Sequence, residues 1–363
     1  MRRAGYLLLI GLLAVMLAAC GQGKNDNAGG NAGGNSNASG GTNAEQPAGN
    51  AEQPDGGAEQ SFRIAISQYV EHPSLDATRE GFIAALKDAG LEEGVNLTID
   101  YNNAQADSTN NLSIAQKIAA DKNDLVLAIA TPSAQSVAQM VKDTPVLFAA
   151  VTDPLAAKLV DSMEAPSGNV TGASDTNPAA VQQLMDFIAE HFKDVKSVGL
   201  VINQGEPNAV VMANHAEKAL EAHGIKLVKA SVTNTSEVKQ AAESLVGRVD
   251  ALYITLDNMV VEAVSTVIQV ANDNDIPFFS SDRDTVEKGA FATVGFKYYD
   301  HGYQVGQMAV EVLKNGKNVG DLKVTVPDKL DLIMNLKAAA EQGIEVTDAM
   351  KAQITDKENN LIE

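Results

Sequence analysis

Six segments of this chain set small polar residues and carboxylates where an apolar run gives way to a helical one. They are Gln68-Tyr69-Val70-Glu71-His72-Pro73-Ser74, Thr131-Pro132-Ser133-Ala134-Gln135, Thr152-Asp153-Pro154, Asn203-Gln204-Gly205-Glu206-Pro207-Asn208, Asp257-Asn258 and Ser280-Ser281-Asp282-Arg283-Asp284. At Thr131-Pro132-Ser133 an apolar strand ends, a proline sits near the first helical position and small residues follow. Free N–H groups there suit an anion such as a carboxylate, although plain capping by Thr131 or Ser133 explains the same pattern. Asp257 follows Leu256 and precedes a helix, so it is either an N-cap or a rim carboxylate able to hold an ammonium or sugar hydroxyls. Asp282 carries the same ambiguity, with Arg283 beside it as a neutraliser. Tyr298-Tyr299 could stack on a ligand or pack at a hinge.

Catalytic signals are weak. No G-x-S-x-G surrounds a serine, and no H-E-x-x-H, G-x-G-x-x-G or Walker A pattern occurs. Of the five histidines, His72 alone falls in one of these junctions. His191, His215 and His223 sit in helical stretches with surface-like neighbours and read as solvated. The expectation is a binding protein, not an enzyme, with no cofactor and no metal.

The junctions imply elements to carry them. From Ser61 onward, short apolar runs alternate with amphipathic helical patterns. Strands are expected near 62–70, 97–101, 125–130, 145–151, 197–203, 226–232, 251–256, 277–281 and 292–296. Several are continuous apolar runs, such as Leu125-Val126-Leu127-Ala128-Ile129-Ala130, as in parallel strands covered on both faces. Helices are expected over 74–89, 178–192, 259–271 and 302–313. Repeated strand–helix units imply an α/β fold with doubly wound parallel sheets, and about 300 residues is too much for one, so two lobes follow. Ligands of such folds sit beyond the carboxyl ends of the strands, where these junctions lie. The segment Thr171-Gly172-Ala173-Ser174-Asp175-Thr176-Asn177-Pro178 reads as a connecting loop between lobes, with a second crossover near Gly295-Phe296. The stretch 324–343 is expected to return to the second lobe.

The N-terminal region has a different character. Arg2-Arg3, an apolar run over 6–19 and Leu17-Ala18-Ala19 before Cys20 form a secretory signal, and its ending resembles a bacterial lipobox. The run is too short to span about 30 Å of hydrocarbon. Cys20, the single cysteine, is then the lipidated first mature residue, so no intrachain disulfide is possible. Residues 21–60 hold no Val, Ile, Leu, Met or aromatic residue and cannot bury enough surface to order themselves; they read as a disordered tether. The formal charge is −20, and losing Arg2 and Arg3 makes it −22. This argues against nucleic acid as a partner.

From about Phe62 to Gly343 the chain resembles the tryptophan/tyrosine-type ABC transporter substrate-binding proteins, a branch of the type I periplasmic-binding fold. The matching stretches are Ala130-Thr131-Pro132-Ser133-Ala134-Gln135, Phe148-Ala149-Ala150-Val151-Thr152-Asp153-Pro154, Asn169-Val170-Thr171-Gly172-Ala173-Ser174-Asp175, Leu256-Asp257-Asn258 and 289–296. The resemblance implies two lobes, three crossovers and a cleft between them. It implies that Thr131, Ser133 and Ala134 receive a ligand carboxylate, with Thr152 and Asp153 lining the same lobe. Asp257 would pair with an α-ammonium, helped by Ser174 or Asp282. Gln68, Tyr69, His72, Asn203 and Glu206 would line the side-chain pocket. The chain has no Trp, so aromatic stacking would come from Tyr or Phe.

The resulting expectation is a signal peptide over 1–19 and a lipidated linker over 20–60. One lobe spans 62–173 with 296–322, and a second spans 174–295 with 323–363. The function expected is a monomeric, extracytoplasmic lipoprotein that binds a small amino-acid-like ligand for an ABC permease and ATPase, an aromatic amino acid being favoured. It would be held at the membrane by the lipid on Cys20. A sugar, nucleoside or amide ligand on the same scaffold, a sensory module feeding a membrane kinase, and an extracytoplasmic hydrolase are the competing readings. The charged tail 351–363 is expected to be a surface helix or to fray.

Overall fold

The computed structural model describes residues 60–327 and 329–363. The signal segment, Cys20 and all but the last residue of the linker lie outside the described residues. The two parallel sheets implied by the alternating pattern are present. The first contains β1 (Phe62–Gln68), β2 (Leu97–Asn103), β3 (Leu125–Ile129), β4 (Val146–Val151) and β5 (Val170–Ser174), all parallel, in the order β2-β1-β3-β4-β5. The second contains β6 (Ser197–Ile202), β7 (Lys226–Ser231), β8 (Ala251–Ile254), β9 (Phe278–Ser280), β10 (Ala292–Gly295), β11 (Asp331–Asn335) and β12 (Leu361–Ile362). Their order is β12-β11-β10-β9-β8-β6-β7, and β11 runs antiparallel to β10. Every residue of β3, β4 and β8 is buried, which is why these strands are near-continuous apolar runs.

Helices cover both faces. They are α1 (Pro73–Asp88), α2 (Ser108–Ala120), α3 (Thr131–Met140), α4 (Pro178–His191), α5 (Pro207–Ala222), α6 (Val238–Glu243), α7 (Asn258–Glu262), α8 (Val264–Asp273), α9 (Arg283–Lys288), α10 (Tyr298–Leu313), α11 (Leu336–Glu341), α12 (Asp348–Ala352) and α13 (Lys357–Asn360). The chain passes between the sheets three times, after β5, after β10 and before β11. The second passage delivers α10 onto α1, where Phe82 and Leu86 share a core with Val305 and Ala309. Contact between these helices is close because glycines face backbone. A Cβ on Gly302 would lie 1.9 Å from the Thr78 carbonyl oxygen, and one on Gly81 would lie 2.0 Å from that of Tyr299. This packing sets the start of α1 against the start of α10, and both starts carry residues of the site below.

Three expectations need correction. Residues 171–174, read as part of a connecting loop, belong to strand β5; Val170 and Ala173 are too few apolar residues to announce a strand. The helix expected over 259–271 is two helices, with a break at Ala263 (φ −93°, ψ 13°). Thr325 bridges Ala173 of β5, and the chain then enters the second sheet as β11. The tail is not frayed. Strand β12 pairs with β11, and the Asp331 carboxylate accepts from Thr355 N, Asp356 N and Asn360 Nδ2 at 2.7–2.9 Å. Polar anchoring of this kind leaves no apolar periodicity to read.

Candidate functional site

A small cavity lies beyond the carboxyl ends of strands from both sheets. The first sheet's elements contribute His72, Ser74 and Leu75 from the start of α1, Ala150 and Thr152 from the end of β4, Asp175 from just past β5, and Tyr298 from α10. The second sheet's elements contribute Leu256, Asn258 and Val261 after β8, Asn208 in α5, and Asp282 after β9. Asp175 and Leu256 also wall a small adjoining cavity with a largely apolar lining, among it Val181, Leu184, Met212 and Phe296.

The cavity is acidic. Asp175 accepts from Thr176 Oγ1 at 3.1 Å and from Tyr298 Oη at 3.2 Å; burial pushes its pKa up to about 6. Asp282 accepts from Thr285 N at 2.7 Å, Thr285 Oγ1 at 2.8 Å and Ser74 Oγ at 3.2 Å, and burial raises its pKa too. Asp284, one residue past Arg283, is pushed up to about 7 by burial and then by the charges of Asp282 and Glu287; its Oδ2 has no hydrogen-bond partner. None of the three is in an ion pair among the described residues. Arg283 does not neutralise Asp282 as the sequence suggested. Its guanidinium reaches Glu287 and the tail at Asn359 O and Asn360 Oδ1. Desolvated carboxylates without a cation are costly, and a ligand cation is the group that would relieve them.

Backbone strain collects at the same strand ends. Ala130 and Ala150, which follow or end the neighbouring strands β3 and β4, have φ of 78° and 53°. Alanine in this region costs about 1–3 kcal/mol and is a feature of ligand-facing loops. The Ala150 N–H donates to Nε2 of His301 at 3.0 Å. His301 is buried, with its pKa lowered to about 4 by that burial, so it is a neutral acceptor.

Of the residues singled out from sequence, His72, Thr152 and Asp282 line the cavity. The others do not line it, and all but Thr131 are bonded elsewhere. Gln68 donates to Val70 O and Asp76 and accepts from Arg79, tying β1 to α1. Tyr69 Oη donates to Ala106 O at 3.1 Å. Ser133 Oγ donates to Asn111 at 3.0 Å, and the Ala134 N–H closes the first turn of α3 onto Ala130 O. Thr131 Oγ1 is buried without a partner. Half-buried Asp153 caps Leu155 N and Ala156 N. Ser174 Oγ donates to Thr152 O. Asn203 Oδ1 accepts from Gly205 N.

Asp257 and Glu206 form a second acidic pair, fully covered by protein. Asp257 accepts from Asn203 N at 2.6 Å and, as the N-cap of α7, from Val260 N at 3.2 Å. Glu206 accepts from Asn208 Nδ2, Asn258 Nδ2, Asn258 N and Met259 N at 2.6–3.1 Å. Burial raises both pKa values, and for Asp257 the Glu206 charge adds to it. With these donors the pair fixes the β6–α5 and β8–α7 connections, and neither residue lines a cavity wall.

Sequence reasoning assigns no role to Asp175 or His301. Asp175 sits in the stretch read as a loop, and its partner Tyr298 is 123 residues away. His301 lies one turn inside an amphipathic helix, where nothing in the spacing separates it from packing.

Comparison with known proteins fits this geometry. A family model described as ABC transporter substrate binding protein matches residues 63–357. A Clostridioides difficile (strain R20291) protein named tyrosine-binding protein is 42% identical over 272 residues, which is 75% of this chain and 78% of that one. A domain from Streptococcus pneumonia, solved in complex with L-Trp, superimposes with a TM-score of 0.78 at 31% identity, covering 84% of this chain and all of that one. The ligand-free, open structure of a Clostridium difficile substrate binding protein with adhesive properties gives 0.61 at 38% identity, covering 83% and 98%. The arrangement here is thus nearer to the complex than to the open form, although the open relative is closer in sequence. With a match across nearly all of the folded chain, this protein belongs to the ABC transporter substrate-binding protein family, whose role is binding and not catalysis.

Proposed function

We propose that this chain is the extracytoplasmic, lipid-anchored receptor of an ABC importer and that its ligand is an aromatic L-amino acid. The observation that carries the ligand class is the cavity's acid cluster, Asp175 and Asp282 with Asp284 beside them, which forms no ion pair among the described residues. An α-ammonium supplies the missing charge. Its contacts to both carboxylates are charge-assisted hydrogen bonds in a site that excludes water. This reading moves the ammonium from Asp257, whose oxygens are taken by backbone N–H groups. The α-carboxylate goes to Thr152 on the first sheet's wall of the cavity, next to the strained Ala150.

Closure brings 62–173 with 296–322 against 174–295 with 323–363, and the ligand biases that equilibrium by bridging the two. The closer likeness to a Trp complex than to an open relative supports reading the present arrangement as the closed one. Among the described residues no helix is long and apolar enough to cross a membrane. Attachment in this reading is by a lipid on Cys20, with 20–60 as its tether.

Thermal denaturation of the purified chain against amino acids, sugars and nucleosides tests the proposal. Aromatic amino acids at a hundred times Kd stabilise by about 2.7 kcal/mol. Sugars and nucleosides leave the transition unmoved. A response to sugars or nucleosides with silence from every amino acid refutes the assignment.

A further inference from the structure

Strand β4 carries one residue too many where it meets the cavity. Phe148 pairs with Gly172 and Val151 with Ser174 on β5, so three steps along β4 match two along its neighbour. This is a β-bulge, and within it Ala150 has its φ of 53°. A bulge leaves a backbone N–H without a ladder partner, and a buried one must find another acceptor. The Ala150 N–H donates to Nε2 of His301 at 3.0 Å, from a residue 151 positions away in sequence. A Cβ on Gly172 would fall 2.0 Å from Phe148 O, so the facing strand needs a glycine where the bulge begins.

The bulge decides which way β4 faces at its end. Side chains alternate along a strand, and one extra residue inverts the alternation beyond it. Val146 and Phe148 pack in a core with Val137 of α3, whereas Leu147 and Ala149 pack in the core shared with α1 and α10. Ala150 repeats the second face, and Val151 returns to the first. Thr152 therefore falls on the side of α1 and α10, where it lines the cavity with Ser74 and Tyr298. Without the extra residue, position 152 would follow Val146 and Phe148 to the opposite face.

His301 is fitted to hold this bulge. It follows Tyr298 by three residues, so both side chains leave one face of the first turn of α10. Tyr298 Oη reaches Asp175, and His301 reaches Ala150. The His301 ring is 6% exposed, with its centroid 5.6 Å from that of Phe296 and 6.1 Å from that of Tyr298. To accept at Nε2, a neutral imidazole carries its proton on Nδ1. His301 itself does not line the cavity. We propose that His301 is a positioning residue: its bond to Ala150 holds the β4 bulge and thereby keeps Thr152 turned to the ligand. This rests on the amino-acid reading above, in which Thr152 receives the α-carboxylate, and deepens it by a residue that acts through the backbone.

The test is calorimetry on the full chain with L-tyrosine and L-tryptophan, joined to amide exchange followed by NMR. His301→Phe keeps an aromatic ring in place and removes the acceptor. It should weaken binding of both amino acids by about tenfold or more, and the Ala150 amide should exchange at least about tenfold faster. His301→Gln, whose amide oxygen reaches about as far as Nε2, should restore slow exchange and bring affinity within about threefold of wild type. A histidine that serves packing alone gives another pattern: His301→Phe lowers Tm while both affinities stay within about threefold of wild type, and that result overturns the proposal. If His301→Phe does not fold, wild type and His301→Gln decide. A wild-type ring protonated on Nε2, or a fast-exchanging wild-type Ala150 amide, overturns the assignment, as does a folded His301→Gln with affinity reduced about tenfold or more. Silence of wild type toward both amino acids overturns the amino-acid reading beneath, a result distinct from equal affinities in wild type and His301→Phe.

Discussion

Asp175→Asn lowers the affinity for the amino-acid ligand by two orders of magnitude or more. The substitution is nearly isosteric, and the amide oxygen can still accept from Tyr298 Oη or Thr176 Oγ1, so the wall keeps its shape. What disappears is the charge. A charge-assisted contact in a dry site is worth about 3 kcal/mol, which is the hundredfold stated. Asp153→Asn is the matched control. Asp153 is half-buried, bonded to its own loop and absent from the cavity wall, so affinity should stay within about threefold. Calorimetry with a fixed ligand reads both. If Asp175→Asn binds as tightly as wild type, the ammonium is not at this cluster. Because protonated Asp175 is favoured by burial, the variant should also denature no lower than wild type, which separates lost binding from lost fold.

Gly302→Ala is expected to destabilise the protein by about 3 kcal/mol or more, a drop in Tm of roughly 5 °C or more for a chain of this size. The added methyl would fall 1.9 Å from the Thr78 carbonyl oxygen. Backbone on both helices must then separate, since no side chain can swing aside. Gly81 and Gly306 on the same contact have Cβ positions 2.0 Å from Tyr299 O and 2.6 Å from Ala85 Cβ, so the whole face is built for small residues. The consequence reaches the site. Helix α1 begins at Ser74 and Leu75 beside the cavity and α10 begins at Tyr298, the donor to Asp175. Gly316→Ala is the comparison, since nothing lies within 4 Å of its Cβ position and only its φ of 65° opposes a side chain; about 1 kcal/mol is expected there. Thermal denaturation decides, and a Tm change under 2 °C for Gly302→Ala contradicts the packing argument.

The strands were legible because they are buried on both faces. Leu125–Ile129 and Val146–Val151 could hardly be anything else, and from them the positions of the junctions follow. The chemistry at those junctions was legible only in part. His72, Thr152 and Asp282 do line the cavity. Gln68 and Tyr69 occupy an equally suggestive junction, yet hydrogen bonds to α1 and to the Ala106 loop consume them. No spacing rule predicts which way a side chain at a strand end will turn. Asp257 shows the same limit: an aspartate before a helix is an N-cap or a ligand group, and burial against Glu206 decides it. Asp175 was hidden for another reason. Its strand is short and poor in apolar residues, and its partner Tyr298 arrives from the far side of the second sheet. The tail was misread because Asp331, Arg283 and Asn360 hold it through polar contacts that carry no periodicity.

The central claim is that buried, uncompensated carboxylates receive the ligand's ammonium, and proton linkage tests it most directly. Asp175 and Asp284 have pKa values raised to about 6 and 7, so below these values the empty site carries protons that a bound ammonium must displace. Asp175 is bonded by Thr176 and Tyr298, and Tyr298 in turn feels the charges of Asp175, Asp282 and Asp284, with Lys288 acting on Asp282. His72 and His301, with pKa values near 4, stay neutral above about pH 5. Titration of L-tyrosine from pH 5 to 8, in buffers of differing ionisation enthalpy, should show affinity rising about fiftyfold from pH 5 to 6, about tenfold from 6 to 7 and about twofold from 7 to 8, with net proton release on binding. An affinity independent of pH with no proton exchange, or no binding at any pH, would contradict the account.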